Sequence, residues 1–70
     1  VDGDSSIRDL NREYGWKLPD DEAATIAGLI IHETRSIPKK GSIYSFHGFR
    51  FKILDRQRNQ LTSIRIQKEI

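Results

Sequence analysis

Residues 43–54 read Ile-Tyr-Ser-Phe-His-Gly-Phe-Arg-Phe-Lys-Ile-Leu. Apolar and polar side chains alternate on both sides of His47-Gly48, the period of a pleated strand, and Gly48 can supply the positive φ of a tight two-residue turn. The pattern predicts a β-hairpin with strands over 43–46 and 49–54. In the second strand Phe49, Phe51 and Ile53 share the buried face, while Arg50 and Lys52 stay wet on the other. Downstream, 55–60 is polar and predicts a loop, and 61–66 predicts a third strand with Ile64 and Ile66 turned inward.

Before Pro38 the apolar period becomes that of a helix. Ser6 can accept an orphan amide, and Asp9 three residues later faces the positive helix end, so a helix is predicted over 7–14 with Ile7, Leu10 and Tyr14 on its apolar side. Gly15 can close it in the left-handed conformation, with Trp16 and Leu18 in a tight connection. Pro19 followed by Asp20, Asp21 and Glu22 predicts the start of a second helix, because proline pre-sets the dihedral and three acids complement the unsatisfied amides. That helix should reach Thr34 and stop before Pro38. Its stripe is Ala23, Ile26, Ala27 and Ile30, widened by Leu29, and the small Ala24, Thr25 and Gly28 let another element approach. Two N-terminal helices packed on a small antiparallel sheet with a β-hairpin form an α+β layer fold.

Seventy residues make one small domain, which excludes large two-lobed catalytic architectures. With 36% hydrophobic and 31% charged residues the composition is that of a globular chain. The absence of cysteine removes disulfides and cysteine zinc sites as supports. A domain of this size buries only about 60% of its extended-chain surface, so a partner or parent chain is expected. The missing methionine and the start at Val1 read as a piece excised from something longer. No window approaches the roughly 18 apolar residues of a membrane span, and residues 1–6 lack a leader's basic and apolar regions, so no membrane insertion is expected. The net charge of +2 hides an asymmetry: residues 1–36 sum to −4 and residues 37–70 to +6.

Few residues suggest chemistry. His32 and His47 lack metal-ligand spacing and read as a solvated helix position and a turn. Asp20, Asp21 and Glu22 read as helix capping, while Asp2 and Asp4 lack the spacing of a calcium loop, so no metal site is assigned. No serine lies in G-x-S-x-G and no glycines form a phosphate loop, so no catalytic residue is assigned. The main functional signal is basic. Arg50, Lys52 and Arg65 can share the outer sheet face beside Lys39, Lys40, Arg56 and Arg58, a footprint for phosphates to which Tyr44 and Phe46 would add stacking. The bland alternative is a solvated face whose lysines and arginines guard against edge pairing.

Read in order, Asp2-Gly3, Ile7 with Leu10-Asn11, Leu18-Pro19, Thr25-Ile26-Ala27-Gly28-Leu29-Ile30, Ile37-Pro38-Lys39-Lys40-Gly41 and Gly48-Phe49-Arg50-Phe51-Lys52-Ile53-Leu54 resemble the CorC/HlyC transporter-associated domain across nearly the whole chain. Ser36 stands where such domains often have glycine, and the strand expected before Asp2-Gly3 is nearly absent. The resemblance implies a single domain over 1–70, at the C-terminus of a membrane protein with a transmembrane region and paired CBS domains. It implies a place on the cytoplasmic face of the membrane in a hemolysin-like family linked to magnesium and cobalt efflux. The implied role is non-catalytic modulation of transport, by docking to the parent or by homodimerisation. The fold is similar to part of FAD-binding domains, which makes FAD, an adenine nucleotide or, less readily, nucleic acid the alternative ligand of the basic face. No cofactor is expected.

Overall fold

The computed structural model describes residues 1–69. Helix α1 spans Ile7–Tyr14 as the sequence predicts: Ser6 caps it, its hydroxyl accepting from the Asp9 amide at 3.4 Å, and Gly15 ends it at φ +68°. The connection to the next helix is held by one side chain. Asn11 donates from Nδ2 to the Leu18 carbonyl at 2.9 Å and accepts the Leu18 amide at 3.0 Å. That clamp presents Leu18 to the core and leaves Trp16 edge-on to Phe49 at a centroid distance of 5.1 Å.

Helix α2 spans Ile26–Thr34, a later start than the Pro19 start predicted from the acidic triplet. The physical reason is tertiary pairing. The Ala24 carbonyl accepts the Ile7 amide at 3.0 Å, and the Ser5 carbonyl accepts the Ile26 amide at 3.1 Å, so the two helix entries form a small antiparallel bridge. Ala27 donates to the Gly3 carbonyl at 2.8 Å and Gly28 to the Thr25 hydroxyl at 3.1 Å. The first amides of α2 are thus satisfied from Thr25 and from the N-terminal segment, and a helix begun at Pro19 would forfeit these bonds. Asp20 instead pairs with Arg8 at 2.9 Å. The helix closes at Arg35, φ +60°.

Strands β1 (Ile43–Phe46), β2 (Phe49–Gln57) and β3 (Gln60–Lys68) form an antiparallel sheet in the order β1-β2-β3. The hairpin turn falls at His47-Gly48 as predicted, with both residues at positive φ (55° and 80°), the signature of a type I′ turn. The polar stretch predicted as a loop is mostly strand: β2 runs on to Gln57 and returns after Arg58-Asn59. Polarity misled because Asp55, Gln57 and Gln60 are exposed near the tip of this second hairpin, where a ladder needs no apolar face. An irregularity in register around Asp55 lets Leu61 and Ile64, three residues apart, both point inward.

Ile7, Leu10, Leu18, Ile26, Leu29 and Ile30 from the helical layer meet Phe49, Phe51, Ile53, Leu61 and Ile64 from the sheet, and among the described residues no polar or charged residue is buried as a whole with them. Ile66 packs against this core from its rim, inward as predicted. Val1–Gly3 is not idle either. Val1 donates from its terminal nitrogen to the Ile64 carbonyl at 2.7 Å and accepts the Ile64 amide at 2.8 Å, and Gly3 donates to the Thr62 carbonyl at 3.1 Å, so this segment adds a short extra rung at the β3 edge. Gly3 cannot be anything larger, because a Cβ there would stand 1.7 Å from the Leu61 carbonyl oxygen.

Candidate functional site

The sheet buries one face against the helices and leaves the other outside. The register aligns Ile43, Lys52 and Arg65 in one row across the three strands, and Ser45, Arg50 and Gln67 in the next. The three basic residues singled out from the sequence therefore share the outer face, and all three are exposed. Arg50 approaches Glu69 at 3.5 Å. Lys52 and Arg65 sit directly opposite one another, and among the described residues neither has an acidic partner within ion-pair distance. Ile43 is 57% exposed and Leu54 40%, so two apolar side chains stand beside the cations.

Other members of the predicted patch are placed elsewhere. Tyr44 is paired with Phe51 and Phe46 with Phe49, which turns both rings to the inner face, and Phe46 stacks on Phe51 at 4.5 Å. They cannot stack on a ligand of the outer face, because successive strand residues point to opposite sides. Arg56 is consumed internally. Its Nε donates to the Arg58 carbonyl at 2.7 Å, and Nη1 to the Ile37 and Pro38 carbonyls at 3.0 and 3.2 Å. This tie between the second hairpin and the Ile37-Pro38 turn had no signal in the sequence, since its ends lie 18 and 19 residues apart. Lys39 and Lys40 remain exposed in the turn before β1.

His47 does more than occupy a turn: Nε2 lies 2.8 Å from Glu33 Oε1 and joins the hairpin to the last part of α2. Among the described residues no group of three or more His, Cys, Asp or Glu is arranged to hold a metal ion. An open cleft of about 520 Å³ lies between the N-terminal segment, α2 and the start of β3. Asp2, Asp4 and Thr62 are among its lining residues, and no lysine or arginine is. Its electrostatics oppose a phosphate or a dinucleotide. Thr62 Oγ1 is buried without a hydrogen-bond partner among the described residues. No helix of the described chain is long and apolar enough to cross a membrane.

Solved structures share this arrangement. A functionally unknown conserved protein of Haemophilus influenzae superposes with a TM-score of 0.92 at 32% identity, over 97% of this chain and 84% of that one. The domain of a Xylella fastidiosa hemolysin, solved in complex with Mg++ and Mn++, superposes with a TM-score of 0.83 at 25% identity, over 97% and 82%. Among curated relatives, Hemolysin C of Brachyspira hyodysenteriae is 33% identical over 97% of this chain, and an inner membrane protein of Escherichia coli, YfjD, is 30% identical over 94%. The magnesium and cobalt efflux protein CorC of Vibrio cholerae is 24% identical over 89%. The chain spans only 26%, 15% and 21% of these three relatives' lengths. The CorC/HlyC family model, described as a transporter associated domain, matches residues 1–69, and the chain is a member of that family.

Proposed function

We propose that the chain is an accessory domain of a CorC/HlyC-type ion transporter, at the C-terminus and on the cytoplasmic side of the membrane. It performs no chemistry of its own and modulates transport by docking. Its neighbours in this reading are the transmembrane region and a CBS pair of the same protein, or a second copy of the domain. The observation that carries the reading is the match over residues 1–69 to a transporter associated domain that is a minor part of relatives named for the inner membrane and for magnesium and cobalt efflux. The surface fits the role: an acidic helical layer and a basic sheet face offer two chemically distinct docking surfaces. A domain bound differently by two transporter conformations shifts their populations by its differential affinity.

The experiment is deletion of the domain from the parent protein, with magnesium and cobalt efflux and the assembly state by light scattering as readouts. A changed dependence of efflux on ion concentration is expected. Unchanged efflux together with unchanged assembly would overturn the reading. FAD, an adenine nucleotide or nucleic acid fits less well: the rings of Tyr44 and Phe46 face inward, away from the basic face, and the open cleft at the N-terminal segment is lined by Asp2 and Asp4.

A further inference from the structure

We propose that the outer face of the sheet binds an anionic lipid surface, with Arg50, Lys52 and Arg65 against headgroup phosphates and Ile43 and Leu54 entering the interface. The inference goes beyond the docking role above and rests on it only in placing a bilayer within reach.

Four observations carry it. Arg50 and Lys52 lie on β2, the central strand, so protection of a sheet edge does not account for them. Lys52 and Arg65 are directly opposite across β2 and β3, an arrangement of like charges that works against folding and is relieved by an external anion. The exposed apolar side chains beside the cations are Ile43 and Leu54, and Leu54 and Arg65 border a shallow open depression that continues to Val1 and Tyr14. Such a mixture suits a planar surface offering many phosphates and a shallow apolar layer. Finally, most of the acids lie away from this face, where Asp4, Asp9, Glu13, Asp20, Asp21 and Glu22 are all exposed, and the sheet itself carries only Asp55 and, beside Arg50, Glu69 among the described residues. A negative bilayer would repel those distant acids and attract the sheet, which fixes one orientation. A second copy meeting this face through its own sheet would set cation against cation, so the charge pattern excludes the symmetric dimer as occupant.

The test is sedimentation of the 70-residue chain with vesicles of phosphatidylcholine containing about 30% phosphatidylserine, at low and at raised salt. Binding is expected at low salt, falling as salt rises and absent from pure phosphatidylcholine. At about 1 kcal/mol per basic residue near the surface, Arg50→Gln, Lys52→Gln and Arg65→Gln should each lower the partition coefficient about fivefold. Ile43→Ser with Leu54→Ser should weaken binding further at raised salt, where the apolar contribution dominates. The charge-matched triple variant Arg8→Gln, Arg12→Gln, Lys17→Gln removes three cations from the helical layer and should bind as the parent does, with circular dichroism confirming that every variant is folded. An equal loss in this control and in the combined Arg50→Gln, Lys52→Gln, Arg65→Gln variant would reduce the effect to net charge and overturn the proposal. So would an absence of binding to anionic vesicles at low salt, or salt-dependent binding to polyglutamate with none to vesicles, which would assign the face to an acidic protein.

Discussion

At the scale of the residue, the side chains that hold this fold together are those that reach backbone groups far along the chain. Asn11 satisfies both the amide and the carbonyl of Leu18, in a part-buried position where water replaces neither fully. Asn11→Ala should cost about 1–3 kcal/mol, read as a lower urea midpoint with an unchanged slope. Thr62 is the converse case. Its hydroxyl is buried and unpartnered, so Thr62→Val keeps the shape, removes the unmet polar atom and should be neutral or stabilising in thermal unfolding. Arg56 shows why side-chain roles were harder to read than side-chain burial. Its charge was visible in the sequence, but the three carbonyls it serves become neighbours only after the second hairpin meets the Ile37-Pro38 turn.

At the scale of the element, α1 and the first hairpin were legible because their signals are local. Ser6, Gly15 and His47-Gly48 act within a few residues of themselves, and each does in the structure what its chemistry suggests. The start of α2 was misread because two candidate caps compete. Pro19 with its acids is the stronger local signal, yet Thr25 prevails because the amides after it find carbonyls on the Gly3–Ser5 segment. A direct comparison follows. Thr25→Ala should destabilise by about 1 kcal/mol, whereas Asp21→Asn with Glu22→Gln should stay within about 0.5 kcal/mol, both from denaturant titration. A comparable loss in the acidic pair would restore the earlier helix start. The extension of β2 to Gln57 was hidden for a related reason: residues beyond the core edge carry no alternation to read.

At the scale of the whole molecule, the domain has a single small core in contact with a large surface. Seventy residues imply a total stability of roughly 4–10 kcal/mol, from about 0.05–0.15 kcal/mol per residue. Phe51 is fully buried at its centre, stacked on Phe46 and tilted against Phe49. Phe51→Ala should cost about 3–5 kcal/mol and leave a large unfolded fraction at physiological temperature, measurable by near-ultraviolet circular dichroism. A loss below about 1 kcal/mol would mean that the core can collapse around the gap. The same thin margin makes an external partner energetically significant, since a ligand that binds only the folded state stabilises it by mass action, increasingly as its concentration exceeds its Kd.

The sequence by itself determined the fold class, the placement of α1 and of the first hairpin, the inward set of Phe49, Phe51, Ile53, Ile64 and Ile66, and the opposition of an acidic half to a basic half. It did so because strand and helix periods and turn chemistry are short-range properties of consecutive residues. Only the tertiary structure decided where α2 begins, which cations remain available and which are tied inward, and that Tyr44 and Phe46 belong to the core side of the sheet. Those outcomes depend on register and on carbonyls brought together from distant positions. A backbone donor takes the partner that folding places beside it.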